Sequence, residues 1–478
     1  MRNWILILFP FVVLLLEFLF GALSSFSENP NTSLAIFMTA WMVIWWVFEV
    51  VPLGITALLP IVFMPFLNLV PLKSITAYYA NPVIYLFLGG FIIARGLEKT
   101  RLSERIALRI LRITGRSDRG IVLGFIIATA FLSMWISNTA TTVMMVPIGL
   151  SVIAFLEQNL PADQKKNLKS MSVVLFLSIA YSANIGGIMT PIGTPPNVVF
   201  VGYIDELFNR EIDFWRWILI ASPVALSVLC LMFVLLNKMY PYKVEITNEF
   251  RKFVKNQLKA LGKVNADQIM TMVIFSSVCF LWVFKGLINY LVGSKVLNDT
   301  SIAIFGGILL FLLPTQVKKW KTVLDSKDIS YLPWNIVLLF GGGMALAGTL
   351  KEAGLIEMST QYFSTLNFSS PYVLILVLAV LALFLTEIMS NVALCVVALP
   401  MIMNLGVSQG IDPILIGLPA ALCSSFAFSM PISTPPNAIV FGTNKIKVNQ
   451  MLRAGLILNV LGVAIVMSVG WMLMKTLL

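Results

Sequence analysis

Two stretches of this sequence carry residue types that can hold a small anion together with a cation. One is Ser137-Asn138-Thr139-Ala140-Thr141-Thr142, set in an apolar run, Ile121 to Leu156, that has no charged residue. The other is Ser390-Asn391-Val392-Ala393. A proline follows each serine by ten residues, Pro147 and Pro400. Each stretch is followed by a second signature. The first is Pro191-Ile192-Gly193-Thr194-Pro195-Pro196-Asn197; the other is Pro431-Ile432-Ser433-Thr434-Pro435-Pro436-Asn437. These strings differ only at Gly193 against Ser433. Polar side chains in hydrocarbon-like sequence are costly unless they serve a function. Adjacent prolines remove amide donors and clash with the preceding turn, so a helix breaks there and frees backbone groups. Amides at a half-helix N-terminus attract carboxylate oxygens. Freed carbonyls, with Ser, Thr and Asn oxygens, suit a hard cation such as sodium.

A lone Ser-Asn pair in an apolar helix commonly bonds one helix to another. Recurrence with the same proline spacing, each time beside a broken helix, argues instead for a binding site between two related halves.

The surrounding elements must be membrane helices. The chain has 478 residues, 59% hydrophobic and 12% charged, with mean hydropathy +0.92. Soluble proteins carry about twice that charge fraction. Repeated apolar runs of roughly 20 residues predict an all-α polytopic membrane protein. The spans expected in the first half are Trp4–Leu23, Ser33–Val51, Leu53–Val70 and Val83–Gly96. A basic stretch with Arg105, Arg109 and Arg112 at helical spacing then predicts a surface amphipathic helix. A hairpin over Ile121–Leu156 with its tip at Ser137–Thr142 follows, then Met171–Tyr203, broken at Thr190–Asn197, and Trp215–Lys238. Tyr240–Gln268 reads as the one long polar loop. The second half repeats the plan with Ile269–Val292, Ser301–Val317 and Asn335–Leu350, a hairpin over Pro371–Leu405, a broken span Ile411–Gly442, and Ala454–Leu477. The expectation is about eleven transmembrane helices plus two re-entrant hairpins.

Charge orients them. With the N-terminus cytoplasmic and sides alternating, 26 of the 33 Lys and Arg residues fall inside. The acidic cluster Asp205, Glu206, Glu211 and Asp213 falls outside. The hairpins then enter from opposite sides, which makes the halves inverted-topology repeats in a cell (plasma or inner) membrane. The net charge of +11 is this loop asymmetry, not a nucleic-acid surface. Cys230, Cys279, Cys395 and Cys423 lie in apolar segments without paired spacing, so neither disulfide nor metal is expected. The absence of His removes the usual metal and Ser-His-Asp chemistries, so an enzyme is not expected. The core segments also lack Lys and Arg, so a di-anion there needs mobile cations. Glu387, three residues before Ser390, is a core carboxylate that could carry protons or cap or brace its hairpin, and bracing is the favoured reading.

The paired Ser-Asn and Thr-Pro-Pro-Asn motifs resemble those of the divalent-anion:sodium symporter family, over nearly the whole chain. The resemblance implies a homodimer whose protomers each have a scaffold domain and a transport domain moving as an elevator. It implies one sodium site at Ser133, Ser137, Asn138 and Gly193, and another at Thr386, Ser390, Asn391 and Ser433. Substrate would meet Asn138, Thr139, Thr194 and Pro195 from one half, and Ser390, Asn391, Val392, Thr434 and Pro435 from the other. Val392 departs from the family's Ser-Asn-Thr by lacking a hydroxyl.

The expected organisation has scaffold helices and a surface arm at 1–120, and transport elements at 121–207. A span and cytoplasmic connection occupy 208–268. Further scaffold helices lie at 269–370, transport elements at 371–443, and a closing helix at 444–478. The expected function is sodium-coupled symport of C4-dicarboxylates (succinate, malate, fumarate). Dicarboxylate exchange, or sodium-coupled citrate or sulfate transport, are the alternatives. The partners expected are a small dicarboxylate anion, sodium ions, the lipid bilayer and a second copy of the chain.

Overall fold

The computed structural model describes residues 2–20, 30–161, 164–355 and 370–477. The end of the first expected span, 21–23, and residues 356–369 of the second expected scaffold region lie outside them. The described chain is helical apart from one short hairpin. In order come α1 (Arg2–Phe20), α2 (Pro30–Val47), α3 (Leu53–Thr56), α4 (Leu59–Phe66), α5 (Leu72–Tyr78) and α6 (Pro82–Lys99). Then follow α7 (Leu102–Thr114), α8 (Asp118–Ser133), α9 (Asn138–Asn159), α10 (Lys165–Gly187), α11 (Pro195–Phe208) and α12 (Phe214–Met239). Beyond α13 (Asn248–Ala260), α14 (Ala266–Val292) and α15 (Asp299–Leu312), two strands pair antiparallel, β1 (Pro314–Gln316) and β2 (Lys321–Thr322). The second set is α16 (Trp334–Glu352), α17 (Pro371–Thr386), α18 (Asn391–Ser408), α19 (Pro413–Ser424), α20 (Pro435–Phe441), α21 (Val448–Ile465) and α22 (Trp471–Leu477).

Local chemistry sets many of these ends. Asn81 accepts from the Val83 amide at 2.9 Å while Pro82 opens α6, a cap followed by the residue whose missing amide costs nothing there. Ser117 does the same for α8 through Gly120, at 3.1 Å. Prolines 195 and 196, and 435 and 436, sit in the first turns of α11 and α20. The breaks therefore precede the prolines, at 188–194 and 425–434, rather than spanning Thr190–Asn197 as expected.

Helix α10 is the centre of the packing. Every residue from Met171 to Thr194 is buried, and α8, α9, α12 and α20 surround the helix. A helix apolar on all faces needs such a setting. In contrast, α14 exposes Val273, Phe280, Leu287 and Leu291, a surface stable only against lipid or another apolar partner. Helices α6 and α15 cross so closely that a Cβ on Gly89 would meet the Ala303 backbone carbonyl carbon at 2.5 Å.

Four expectations need correction. The first hairpin turns at residues 134–137, not at Ser137–Thr142, because Ser137 caps α9 and Asn138 begins it. The polar stretch Tyr240–Gln268 is not all loop: α13 forms within it, and Phe250 and Val254 bury its apolar side near α7. Arg105 is not on the surface face of α7. It is buried, and donates to the carbonyls of Leu261 at 3.0 Å and Gly262 at 2.9 Å, where the end of α13 presents unpaired acceptors. Arg109 and Arg112 are exposed as expected. The expected third span is split into α3 and α4. Eight helices among the described residues are long and apolar enough to cross a bilayer, with α15, α17 and α19 among the shorter apolar ones.

Candidate functional site

The two hairpin turns are built alike. In the first, the Ser133 hydroxyl lies 2.7 Å from Asn138 Oδ1 and 2.7 Å from the Ala183 carbonyl oxygen. In the second, the Thr386 hydroxyl lies 2.7 Å from Asn391 Oδ1 and 2.6 Å from the Ser424 carbonyl oxygen. Each cluster brings three oxygens together around a single hydroxyl proton. A hydroxyl donates once, so one close oxygen pair in each cluster has no proton between its members. A small hard cation beside the cluster satisfies such oxygens, which is the fit expected of sodium.

Ser137 caps α9, accepting from the Ala140 amide at 3.2 Å, whereas Ser390 begins α18 without a side-chain cap bond. Gly193 lies against Gly187, which in turn lies against Asn138. A Cβ on Gly193 would collide with the Gly187 carbonyl, and a Cβ on Gly187 would collide with Asn138 Oδ1. Only glycine fits where the broken helix presses on the hairpin turn.

The homologous Ser433 behaves differently. Its hydroxyl donates to the Glu387 carboxylate. Glu387 is buried and also accepts from the Ser429 amide at 2.9 Å and from Asn459 Nδ2 at 2.6 Å. The carboxylate thus ties the second hairpin turn to the second helix break and to α21. This agrees with a bracing role. Met134 occupies the matching place in the first half, 253 residues earlier, so the halves differ in charge here.

Among the other expected residues, Thr139 is exposed and Thr194 is buried at the head of α11. Val392 is half-buried one residue beyond Asn391. Pro195 and Pro435 open their half-helices, half-buried and exposed respectively. Thr434 caps α20 and accepts from Asn184 Nδ2 at 3.2 Å, a bond that joins the two halves. The halves interlock more widely. Helix α20 packs on α9 and α10, and α11 packs on α18 and α19. The Tyr203 hydroxyl donates to the Val396 carbonyl at 2.8 Å across that second contact.

Several residues of this network carry no expectation from sequence. Asn197 Nδ2 donates across its helix break to the carbonyls of Gly187 (3.1 Å) and Thr190 (2.7 Å). Asn437 does the same to Ala427 (2.8 Å) and Met430 (2.9 Å). The Asn of Thr-Pro-Pro-Asn therefore holds carbonyls that the missing helix turn leaves unpaired. The repetition of that Asn was the available signal. Asn184 and Asn459 had none, since each stands alone in an apolar helix.

The whole chain, residues 1–478, matches the family model of the sodium:sulfate symporter transmembrane region. The chain belongs to this family. Its relatives include the sodium-dependent dicarboxylate transporter SdcS of Staphylococcus saprophyticus, 35% identical over 99% of this chain and 91% of the relative. SdcS of Staphylococcus aureus strain MRSA252 is 35% identical over 92% of this chain and 86% of its own. Two solved structures share the fold at 12% identity. They are Neisseria gonorrhoeae MtrF, from a class of antimetabolite efflux pumps, and the Alcanivorax borkumensis YdaH transporter. MtrF superposes with TM-score 0.57 over 84% of this chain and 83% of its own, YdaH with 0.56 over 84% and 88%. The family and these relatives are transporters, and a multi-pass membrane protein is what the apolar helices of this family member require.

Proposed function

We propose that this family member couples inward sodium movement to uptake of C4-dicarboxylates (succinate, malate or fumarate) across the cell membrane. The observation that carries the reading is the pair of matched oxygen clusters, Ser133–Asn138–Ala183 and Thr386–Asn391–Ser424, in segments without a fixed positive charge. Each cluster suits one sodium ion, with Ser137 and Gly193 beside the first and Ser390 and Ser433 beside the second. The amides of Asn138 and Asn391 are left for the substrate carboxylates, and Thr139, Thr194, Pro195, Val392, Thr434 and Pro435 line the anion between them. The dicarboxylate named for the SdcS relatives supports this anion over sulfate, which the family description prints. Exchange driven without sodium lacks the fixed cation it needs.

In this reading, 121–207 and 371–443 form the transport domain, and the interlocking of α11 with α18 and of α20 with α9 supports their moving together. Residues 1–120 and 269–370 form the scaffold, which meets a second copy. The span and connection at 208–268 and the closing helix at 444–478 complete an elevator of two inverted repeats. Topology is tested with single cysteines in a background lacking the four native ones. Lys255→Cys is labelled by an impermeant maleimide only from the cytoplasmic side, and Glu211→Cys only from outside. The reverse pattern overturns the inverted assignment.

Substrate choice is tested by competition. Succinate, malate and fumarate inhibit labelled succinate uptake at lower concentration than citrate or sulfate do. Val392→Thr keeps the side-chain shape and adds a hydroxyl beside Asn391, so transport survives and the order of inhibitors changes. An order identical to wild type removes Val392 from the anion's surroundings.

A further inference from the structure

The far ends of α9 and α10 and the segment leaving α20 line a cavity of ≈670 Å³. Helix α9 begins with Asn138 and contributes Ile153 and Glu157 near its other end. Helix α10 carries Asn184 near its end and contributes Lys165, Lys169 and Ser172 near its start. The segment leaving α20 contributes Asn444, Lys445 and Lys447. At 1.5 Å per helical residue, Lys169 lies about 22 Å along α10 from Asn184, so this cavity is separate from the hairpin turns.

Its chemistry is that of an anion site. Four lysines and one glutamate face it, a net charge of +3. None of the four ammonium groups has an ion-pair partner among the described residues, whereas Lys99, Lys285 and Lys321 each have one. Ser172 is buried, and its hydroxyl has no hydrogen-bond partner, although a buried donor ordinarily finds one. A second cavity, of ≈580 Å³, has the opposite sign, with Asp205, Glu211, Asp213 and Asp299 around Lys285. Like charges gathered around one space repel each other unless a counter-ion enters, and a confined basic mouth raises the local concentration of anions.

We propose that the lysine cavity is a second binding site for a dicarboxylate di-anion, on the cytoplasmic side, where the transported anion docks without sodium. The inference rests on the proposed di-anion transport. Fixed ammonium groups neutralise the carboxylates here, as sodium does between the hairpins, so the two sites differ in cation requirement. A phosphate-bearing lipid headgroup offers related chemistry, and the test separates the two.

Purified full-length protein is dialysed against labelled succinate in sodium or choline at low ionic strength. Two components are expected. The sodium-dependent one is lost in Asn138→Ala. The sodium-independent one survives Asn138→Ala and weakens about tenfold when Lys165, Lys169, Lys445 and Lys447 are all changed to Gln, the size expected when several exposed charge contacts are removed together. It also weakens at about 0.3 M salt, where screening shortens the range of the lysines. Should the fourfold variant not fold, Lys169→Gln/Lys447→Gln gives the same comparison, and Ser172→Ala weakens the component with charge unchanged. No binding in choline, or equal binding in the lysine variants, overturns the site. So does lysine-dependent retention of phosphatidylglycerol in native mass spectra without succinate binding. Absence of the sodium-dependent component alone counts against the proposed function and leaves the lysine site standing.

Discussion

Replacing Asn138 or Asn391 by alanine lowers sodium-driven succinate uptake by roughly ten- to a hundred-fold. Each Oδ1 sits 2.7 Å from the hydroxyl of Ser133 or Thr386, and neither Nδ2 donates to another described residue. The carbonyl side of the amide therefore belongs to the oxygen cluster, and the amide protons are free for a carboxylate. Truncation removes both an oxygen for the cation and a donor for the anion, a loss of about 1–3 kcal/mol, while the Ser133 and Thr386 hydroxyls keep the Ala183 and Ser424 carbonyls as acceptors. The loss shows in uptake at fixed sodium and in the sodium concentration needed for half-maximal rate. Asn197→Ala is the contrasting variant. Its Nδ2 holds the carbonyls of Gly187 and Thr190, so its removal lowers the amount of folded protein and leaves the sodium requirement of what remains unchanged. Uptake within twofold of wild type in both Asn138→Ala and Asn391→Ala, at equal protein levels, removes the hairpin turns from the transport site.

Exchanging external sodium for choline reduces succinate uptake into proteoliposomes to background. The hairpin turns and helix breaks that carry the signatures hold no Lys or Arg to neutralise an anion. A charge at the bilayer centre costs ~2.5–3.5 kcal/mol on insertion scales. Two uncompensated charges then cost about 5 kcal/mol or more, which is at least a thousand-fold in an equilibrium constant. In the proposed reading two sodium ions balance the di-anion, so a net inward current would report a third. Equal uptake in choline, or uptake only when a second dicarboxylate is loaded inside, overturns symport in favour of exchange.

The paired hairpins and helix breaks were legible because their signals are local. Pro195-Pro196 and Pro435-Pro436 stop one helix and start another by sterics that act within a turn. Ser137 and Ser390 stand out because their neighbours are apolar. The matched spacing of Pro147 and Pro400 pointed to a shared plan for the two hairpins, and their turns are built alike. Apolar run length gave most of the helices, and lysine placement gave a sidedness that labelling can test.

Other features depend on what meets across long stretches of chain. Nothing near Arg105 marks it as buried; it is taken inside because the end of α13, over 150 residues away, offers two carbonyls. Tyr240–Gln268 reads as loop because its helix has only one short apolar edge, which α7 covers. The partners that make Glu387 a brace, the Ser429 amide, the Ser433 hydroxyl and Asn459, lie 42 to 72 residues away and are brought to its carboxylate only by packing. Proline sterics and local polarity need no partner, so Pro195-Pro196, Pro435-Pro436 and the two Ser-Asn pairs marked each helix break to within about a turn, though not its exact bounds. Tertiary structure alone decided which oxygens converge and which lysines share a cavity, because hydrogen bonds and charges act over a few ångströms between residues that only packing brings together.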